Sequence, residues 1–151
     1  MQPPIRILYV QCASGGGVDR MLQMVLRPPY NLAQKGLMIV EVAKQASHLL
    51  ITGTINPNML DMIEHLLNQM SNPKIIILGN CFSFDPSSSP DWVPRIDLAR
   101  VPMPEAWKSM VVLYIPEFSA DRRLLSPEIL YAKLSSFLTG QLPTDQAIPL
   151  G

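Results

Sequence analysis

The stretch IRILYVQCASGGG, Ile5–Gly17, decides the fold that this sequence predicts. A short apolar run, a cysteine and three consecutive glycines are typical of a strand that enters a tight turn and then a helix. The turn lies at the carboxyl end of a first strand, which is where open α/β sheets bind their ligands. We therefore expect any chemistry of this protein to be concentrated beside the turn.

The composition describes one apolar domain with little charge. The chain has 151 residues, of which 48% are hydrophobic and 16% charged, and 12 basic residues balance 12 acidic ones. A net charge near zero argues against a nucleic-acid partner, because such binding requires a basic face that displaces counterions. No apolar run has the length of a membrane helix, and no signal-peptide pattern opens the chain. We expect a protein that is cytoplasmic, or peripheral on the cytoplasmic side of a membrane, with part of its surface covered by a partner.

Short apolar strands alternate with amphipathic helices along the chain. The predicted strands are Ile5–Val10, Leu37–Val42, Leu49–Thr52, Lys74–Leu78 and Val111–Ile115. Helices are predicted from Val18, from Asn56-Pro57 and from Ser126-Pro127, the last two because a capping residue precedes a proline. This alternation predicts an α/β fold, a mainly parallel sheet with helices on both faces.

The same pattern predicts one α/β domain over residues 1–140, followed by an extended tail over residues 141–151. Between the fourth and fifth strands, Phe82–Glu105 has no periodicity and is predicted to be an irregular loop. A loop of that length in a compact domain is usually functional or packed against another protein.

Two cysteines, Cys12 and Cys81, each follow a predicted strand and therefore lie at the same edge of a parallel sheet. They are candidates for a thiol pair or for metal ligands. The alternative is that each is a small buried apolar side chain, as free cysteines usually are. A disulfide requires Cα atoms within about 4.4–6.8 Å, a distance that the sequence leaves open.

Other kinds of site are poorly supported. Gly15 and Gly17 match the start of a dinucleotide-binding fingerprint, but Arg20 stands at the third glycine and no phosphate-loop lysine follows. Asp19 adds a negative charge in the first turn of the helix, which opposes a phosphate. Neither histidine has a partner at metal-ligand spacing, and no catalytic residues are predicted.

Four segments form an ordered series. They are RPPYNLAQKG (Arg27–Gly36), QASHLLITGT (Gln45–Thr54), Asn58-Met59 with NQMSNPK (Asn68–Lys74), and IIILGNC (Ile75–Cys81). In this order they resemble PRYDLERFG, RQADVLIVTGT, NKM with DQMPEPK, and a strand ending in G-x-C. These belong to the small electron-transfer subunit family of NADH:quinone oxidoreductase (the 20 kDa, B-type subunit) and [NiFe] hydrogenases. The resemblance implies a flavodoxin-like fold and a place beside a large-subunit-like partner in a multi-subunit, membrane-associated oxidoreductase complex.

Members of that family hold one [4Fe-4S] cluster through four cysteine thiolates, and the resemblance supplies only part of this set. Cys81 matches the G-x-C ligand. When Asp19 is set on the family's glutamate, Gly16 takes one ligand position and Cys12 lies one residue from another. The family's last ligand lies in Pro-Gly-Cys-Pro-Pro, where this chain has Pro116–Phe118. We therefore expect no standard cluster, with Cys12 and Cys81 as remnant ligands.

The sequence thus favours a structural or assembly subunit without a cofactor of its own, which contacts the membrane only through its partners. Two alternatives stay open. In the first, the chain is an electron-transfer subunit that holds an Fe–S cluster through Cys12, Cys81 and ligands from a partner. In the second, it is a stand-alone domain whose thiol pair senses redox state.

Overall fold

Five apolar runs form one parallel sheet. The computed structural model describes residues 4–12, 16–79, 102–117 and 124–140. Its strands are β1 (Ile5–Gln11), β2 (Leu37–Val40), β3 (His48–Thr52), β4 (Lys74–Leu78) and β5 (Val111–Ile115). They lie in the order β2-β1-β3-β4-β5, and every neighbouring pair is parallel. This is the flavodoxin-like order, so the predicted fold class is confirmed.

Helices cover both faces of the sheet. They are α1 (Gly16–Leu26), α2 (Pro57–Gln69), α3 (Glu105–Lys108) and α4 (Pro127–Leu138), with short 3-10 turns at Leu32–Gln34 and Ala43–Gln45. Because side chains alternate along a strand, each strand contributes to two cores. Ile7 and Leu50 pack with α1 and α4 on one face, whereas Leu49 and Ile77 pack with α2 and α3 on the other.

The two proline-initiated helices begin as predicted. The Asn56 side-chain oxygen accepts a hydrogen bond from the Met59 N–H at 3.0 Å. The Ser126 hydroxyl oxygen accepts one from the Ile129 N–H at 3.3 Å. In each case proline occupies the first helical position, where a missing N–H costs nothing.

The connection between α1 and β2 is fastened to α4. It begins with a cis peptide bond between Pro28 and Pro29. The Tyr30 hydroxyl donates to Glu128 Oε1 at 3.2 Å, and the ring of Tyr30 lies 5.1 Å from that of Tyr131. Lys35 Nζ donates to the Tyr131 hydroxyl at 2.6 Å. Thus the segment RPPYNLAQKG, which carries part of the resemblance, packs on the same face as α1 and α4.

The structure corrects several predicted boundaries. β1 extends to Gln11, β3 begins at His48 and α1 begins at Gly16. β2 ends at Val40 rather than Val42, because Val42 already leads into the next 3-10 turn. Glu105, predicted to end an irregular loop, instead begins α3, whose Trp107 is buried. Four residues are too few to show helical periodicity, which explains why α3 was missed. The rest of that predicted loop up to residue 101 and the predicted tail 141–151 lie outside the described residues.

Candidate functional site

The strand order places a switch point between β1 and β3. The chain leaves β1 for β2 on one side and then crosses to β3 on the other, so the connections diverge at the carboxyl ends of β1 and β3. In doubly wound sheets, ligands bind in the crevice at this point. Gln11 and Thr52 are register partners here, and the Cys12 N–H donates to the Thr52 carbonyl at 2.8 Å.

A buried carboxylate, that of Asp19, occupies the space above these strand ends. Asp19 lies in the first turn of α1 and is 6% exposed. Its Oδ1 accepts hydrogen bonds from the Thr52 hydroxyl at 2.6 Å and from the Tyr9 hydroxyl. Its Oδ2 accepts one from the Gln11 side-chain amide at 2.9 Å. We call Tyr9, Gln11, Asp19 and Thr52 the switch-point network, which joins β1, β3 and α1.

The electrostatics of Asp19 combine two opposing effects. Burial raises the pKa of its carboxyl group, and the hydrogen bond from Thr52 partly offsets that rise. The negative charge also lies near the N-terminus of α1, where the helix dipole favours an anion. In this network both carboxylate oxygens of Asp19 accept hydrogen bonds from side chains of the two strands.

Cys12 lies at the same sheet edge but faces the other core. Its side chain packs with the residues of the α2 face, such as Ile55, and it is a buried free thiol. Burial raises its pKa to about 11. Because the thiolate is the form that binds metals and attacks disulfides, Cys12 in this position is held in its unreactive form at neutral pH.

Cys81, the second predicted site residue, lies outside the described residues. The described residues at this edge end with Gly79, which follows β4 and has a φ of +88°. A Cβ at Gly79 would be 3.3 Å from Val18 Cγ2 in α1. The end of β4 therefore lies directly against the first turns of α1.

The donor set does not fit the four-thiolate cluster that the family resemblance implies. The whole sequence has two cysteines, and the one that is described is buried and protonated. Within residues 4–12, 16–79, 102–117 and 124–140, no three His, Cys, Asp or Glu side chains gather as metal ligands. At the described edge, the polar groups are the hydroxyl, amide and carboxylate of the switch-point network.

Sequence reasoning singled out Asp19 as a charge that opposes phosphate and as the counterpart of the family's glutamate, and it missed the network. The available signal was weak: polar residues end both β1 and β3, where apolar ones would extend the core. Only the pairing of Gln11 with Thr52 shows that these residues meet, and that pairing joins strands far apart in sequence.

The comparisons with known proteins found similarity to a probable membrane-bound hydrogenase subunit. The chain is 29% identical over 76 residues to the probable membrane-bound hydrogenase subunit mbhJ of Pyrococcus furiosus, a match that covers 50% of this chain and 46% of that protein. The match thus spans less than half of the curated relative. No protein-family model matches the chain.

A solved structure supports the fold. One chain in the structure of the membrane-bound sulfane sulfur reductase, an archaeal respiratory membrane complex, aligns with a TM-score of 0.57 and 19% identity. The alignment covers 92% of this chain and 72% of that one. At this identity the likeness shows the fold alone. The hydrogenase subunit is the relative that fits the predicted resemblance, and assignment to the 20 kDa family stays a prediction.

A membrane-spanning helix needs both length and an apolar sequence. None of the helices within the described ranges is long and apolar enough to cross a bilayer.

Proposed function

We propose that this chain is a structural or assembly subunit of a membrane-bound, hydrogenase-related respiratory complex, at the position of its small electron-transfer subunit. The similarity to the Pyrococcus furiosus hydrogenase subunit carries the proposal. The flavodoxin-like strand order supports it, since it agrees with the fold implied by the resemblance. In this proposal the chain lies on the cytoplasmic side, binds a large-subunit-like protein and reaches the membrane only through its partners.

The donor set supports a structural role over electron transfer. An iron–sulfur cluster needs thiolates, and Cys12 is a buried thiol whose pKa is raised. The polar side chains at the switch point are already paired with one another. The chain itself would thus contribute shape and contacts to the complex.

Co-purification tests membership in such a complex. The full chain, tagged in its own cells, is isolated from membranes after mild detergent extraction, and the bound proteins are identified by mass spectrometry. We expect a hydrogenase-type large subunit and membrane-embedded subunits in constant ratio. Recovery of the chain alone, in the fraction free of membranes, would contradict the proposal.

A second measurement separates the structural role from electron transfer. Cys12→Ser with Cys81→Ser removes every thiol of the chain, and we expect the isolated complex to keep its iron content and electron-transfer rate. Deletion of the whole chain is expected to lower the amount of assembled complex on a native gel. Loss of iron from the double variant would instead favour a cluster with ligands shared between this chain and a partner.

A further inference from the structure

The Asp19 carboxylate is the one buried acidic side chain among those that the structure describes. Burying a carboxylate costs several kcal/mol unless hydrogen bonds replace its lost water. Here three side chains provide those hydrogen bonds, from Tyr9, Gln11 and Thr52. A group that is costly to bury and fully partnered is expected to have a definite structural task.

From this arrangement we infer that the switch-point network stabilises the domain without a metal centre: the Asp19 carboxylate joins β1, β3 and α1, so that the domain folds without iron. The inference deepens the proposed function and rests on it for the comparison with a cluster-bearing small subunit. The connection itself is read from the contacts of this chain.

The Asp19 carboxylate lies where the carboxyl ends of β1 and β3 meet the first turn of α1. The Tyr9 and Gln11 side chains lie two residues apart on β1 and so face the same side, under the first turn of α1. Thr52 reaches the carboxylate from β3, across 33 residues of sequence. A single side chain thus connects three elements at the edge where doubly wound sheets open a crevice.

Two further contacts join the strands and α1 at the same edge. The Cys12 N–H continues the β1–β3 ladder to the Thr52 carbonyl, and the thiol turns into the α2-side core. On the other side of β3, Gly79 lies so near Val18 that a Cβ would come within 3.3 Å of Cγ2. Backbone pairing, side-chain packing and the carboxylate therefore join the described strand ends to α1.

The hydrogen-bonding capacity of the side chain at position 19 predicts which variants lose the most stability. In Asp19→Asn, the amide oxygen can still accept from Tyr9 and Thr52, and Gln11 can turn its amide to accept from the new NH₂ group. In Asp19→Ala, three donors lose their acceptor, and the Thr52 hydroxyl is fully buried. Asp19→Ala should therefore be the more damaging change.

Thermal unfolding of the full chain tests the inference. The chain is purified without oxygen from iron-replete and iron-depleted cells, its iron is counted, and its melting temperature is measured with and without a chelator. We expect far less than one iron per chain and the same melting temperature in every sample. Asp19→Ala should lower that temperature by about 5–15 °C, and Asp19→Asn by less.

Matched variants keep the test decisive. Asp61→Ala, an exposed acidic residue of α2, should leave the melting temperature within about 2 °C. If Asp19→Ala does not fold, Thr52→Val and Asp19→Asn decide. Asp19→Asn removes the charge and so weakens the same hydrogen bond that Thr52→Val removes, and the loss in the double variant should therefore be smaller than the sum of the two single losses. Stoichiometric iron, unfolding by chelator, or equal effects of Asp19→Ala and Asp61→Ala would overturn the inference.

This test is independent of the complex. A chain that folds without iron but has no hydrogenase-type partners overturns the proposed function alone. A chain that joins the complex but unfolds without iron overturns only the role of the network.

Discussion

The Thr52 hydroxyl donates a 2.6 Å hydrogen bond to the carboxylate of Asp19, which lies 33 residues earlier in the chain. Thr52 ends β3 and Asp19 lies in the first turn of α1, so the bond links the middle of the sheet to the first helix. Tyr9 and Gln11 donate to the same carboxylate. The free energy of unfolding of the domain should therefore depend on the protonation state of Asp19.

The stability of the wild type relative to Asp19→Asn should rise as the pH falls. Burial raises the pKa of Asp19 above 3.8, its ordinary value, so the folded state binds a proton more readily than the unfolded state. The contribution that Asp19 protonation makes to the free energy of unfolding is fully present below pH 3.8. It is lost as the pH rises through the pKa of Asp19 in the folded state. Urea unfolding of both proteins between about pH 3 and pH 7 measures the difference. A difference that stays constant, or shrinks in acid, would contradict this.

His48 should give a pH dependence of the opposite sign. Its ring is buried beside Phe137, with a ring-centre distance of 5.9 Å, and Nδ1 lies 2.8 Å from the Ser47 hydroxyl. Burial and, secondarily, the charge of Lys74 lower its pKa from 6.5 to about 4. The unfolded state therefore binds the proton first, and stability falls as the pH drops from 6.5 toward 4.

The variant His48→Gln should remove that loss, which we expect to be on the order of 2–3 kcal/mol in the wild type. Unfolding by urea at about pH 7 and pH 4.5 measures it. His65→Gln, on the exposed side of α2, is the control and should keep the pH dependence of the wild type. Equal curves for all three proteins would show that His48 is not held in its neutral form.

The cap residues of α2 and α4 should each be worth about 0.5–2 kcal/mol, because Asn56→Ala and Ser126→Ala leave a first-turn N–H without its acceptor. Chemical denaturation of each variant measures the loss of unfolding free energy. Asn68→Ala, at an exposed position in the last turn of α2, makes the same kind of change away from the N-cap. If it destabilises the domain as much as Asn56→Ala does, the capping bond contributes nothing.

Cys12 should react with alkylating reagents only after unfolding. It is 6% exposed, and burial raises its pKa to about 11, so the thiolate is scarce at about pH 8. In a Cys81→Ser background, iodoacetamide labelling followed by mass spectrometry reads Cys12 alone. We expect little labelling of the native protein and full labelling in urea. Rapid labelling of the folded chain would revive the interpretation of a thiol pair that senses redox state.

The sheet and the main helices were predictable from the sequence because their signals are local. Lys74–Leu78 and Val111–Ile115 agree with the predicted strands at both ends. Pro73, Gly79 and Pro116, which are disfavoured in strands, bound three of these four ends. The starts of α2 and α4 were set by a cap and a proline. α3 had no such signal, and only its burial of Trp107 shows why the chain turns there.

The switch-point network could not be predicted, because it depends on register. Gln11 and Thr52 meet only after β1 and β3 pair, and a shift of one residue would turn Thr52 to the opposite face. Cys12 illustrates the same limit. The predicted strand was enough to place Cys12 at the sheet edge. It was not enough to show that the thiol turns into the core on the α2 side.

The all-parallel strand order also affects the rate at which the domain folds and the order in which its strands pair. Among the described strands, the shortest separation between paired residues is that of His48 and Lys74, 74 − 48 = 26 residues, so no two neighbours in this sheet form a hairpin that could serve as an early local nucleus. Such distant pairings make folding slow compared with helical proteins of this size. Yet β2 and β3 each pair with β1, β4 pairs with β3, and β5 pairs with β4. Each strand that leaves the ribosome therefore meets a neighbour already synthesised, and the sheet can grow during translation in the order in which the chain is made.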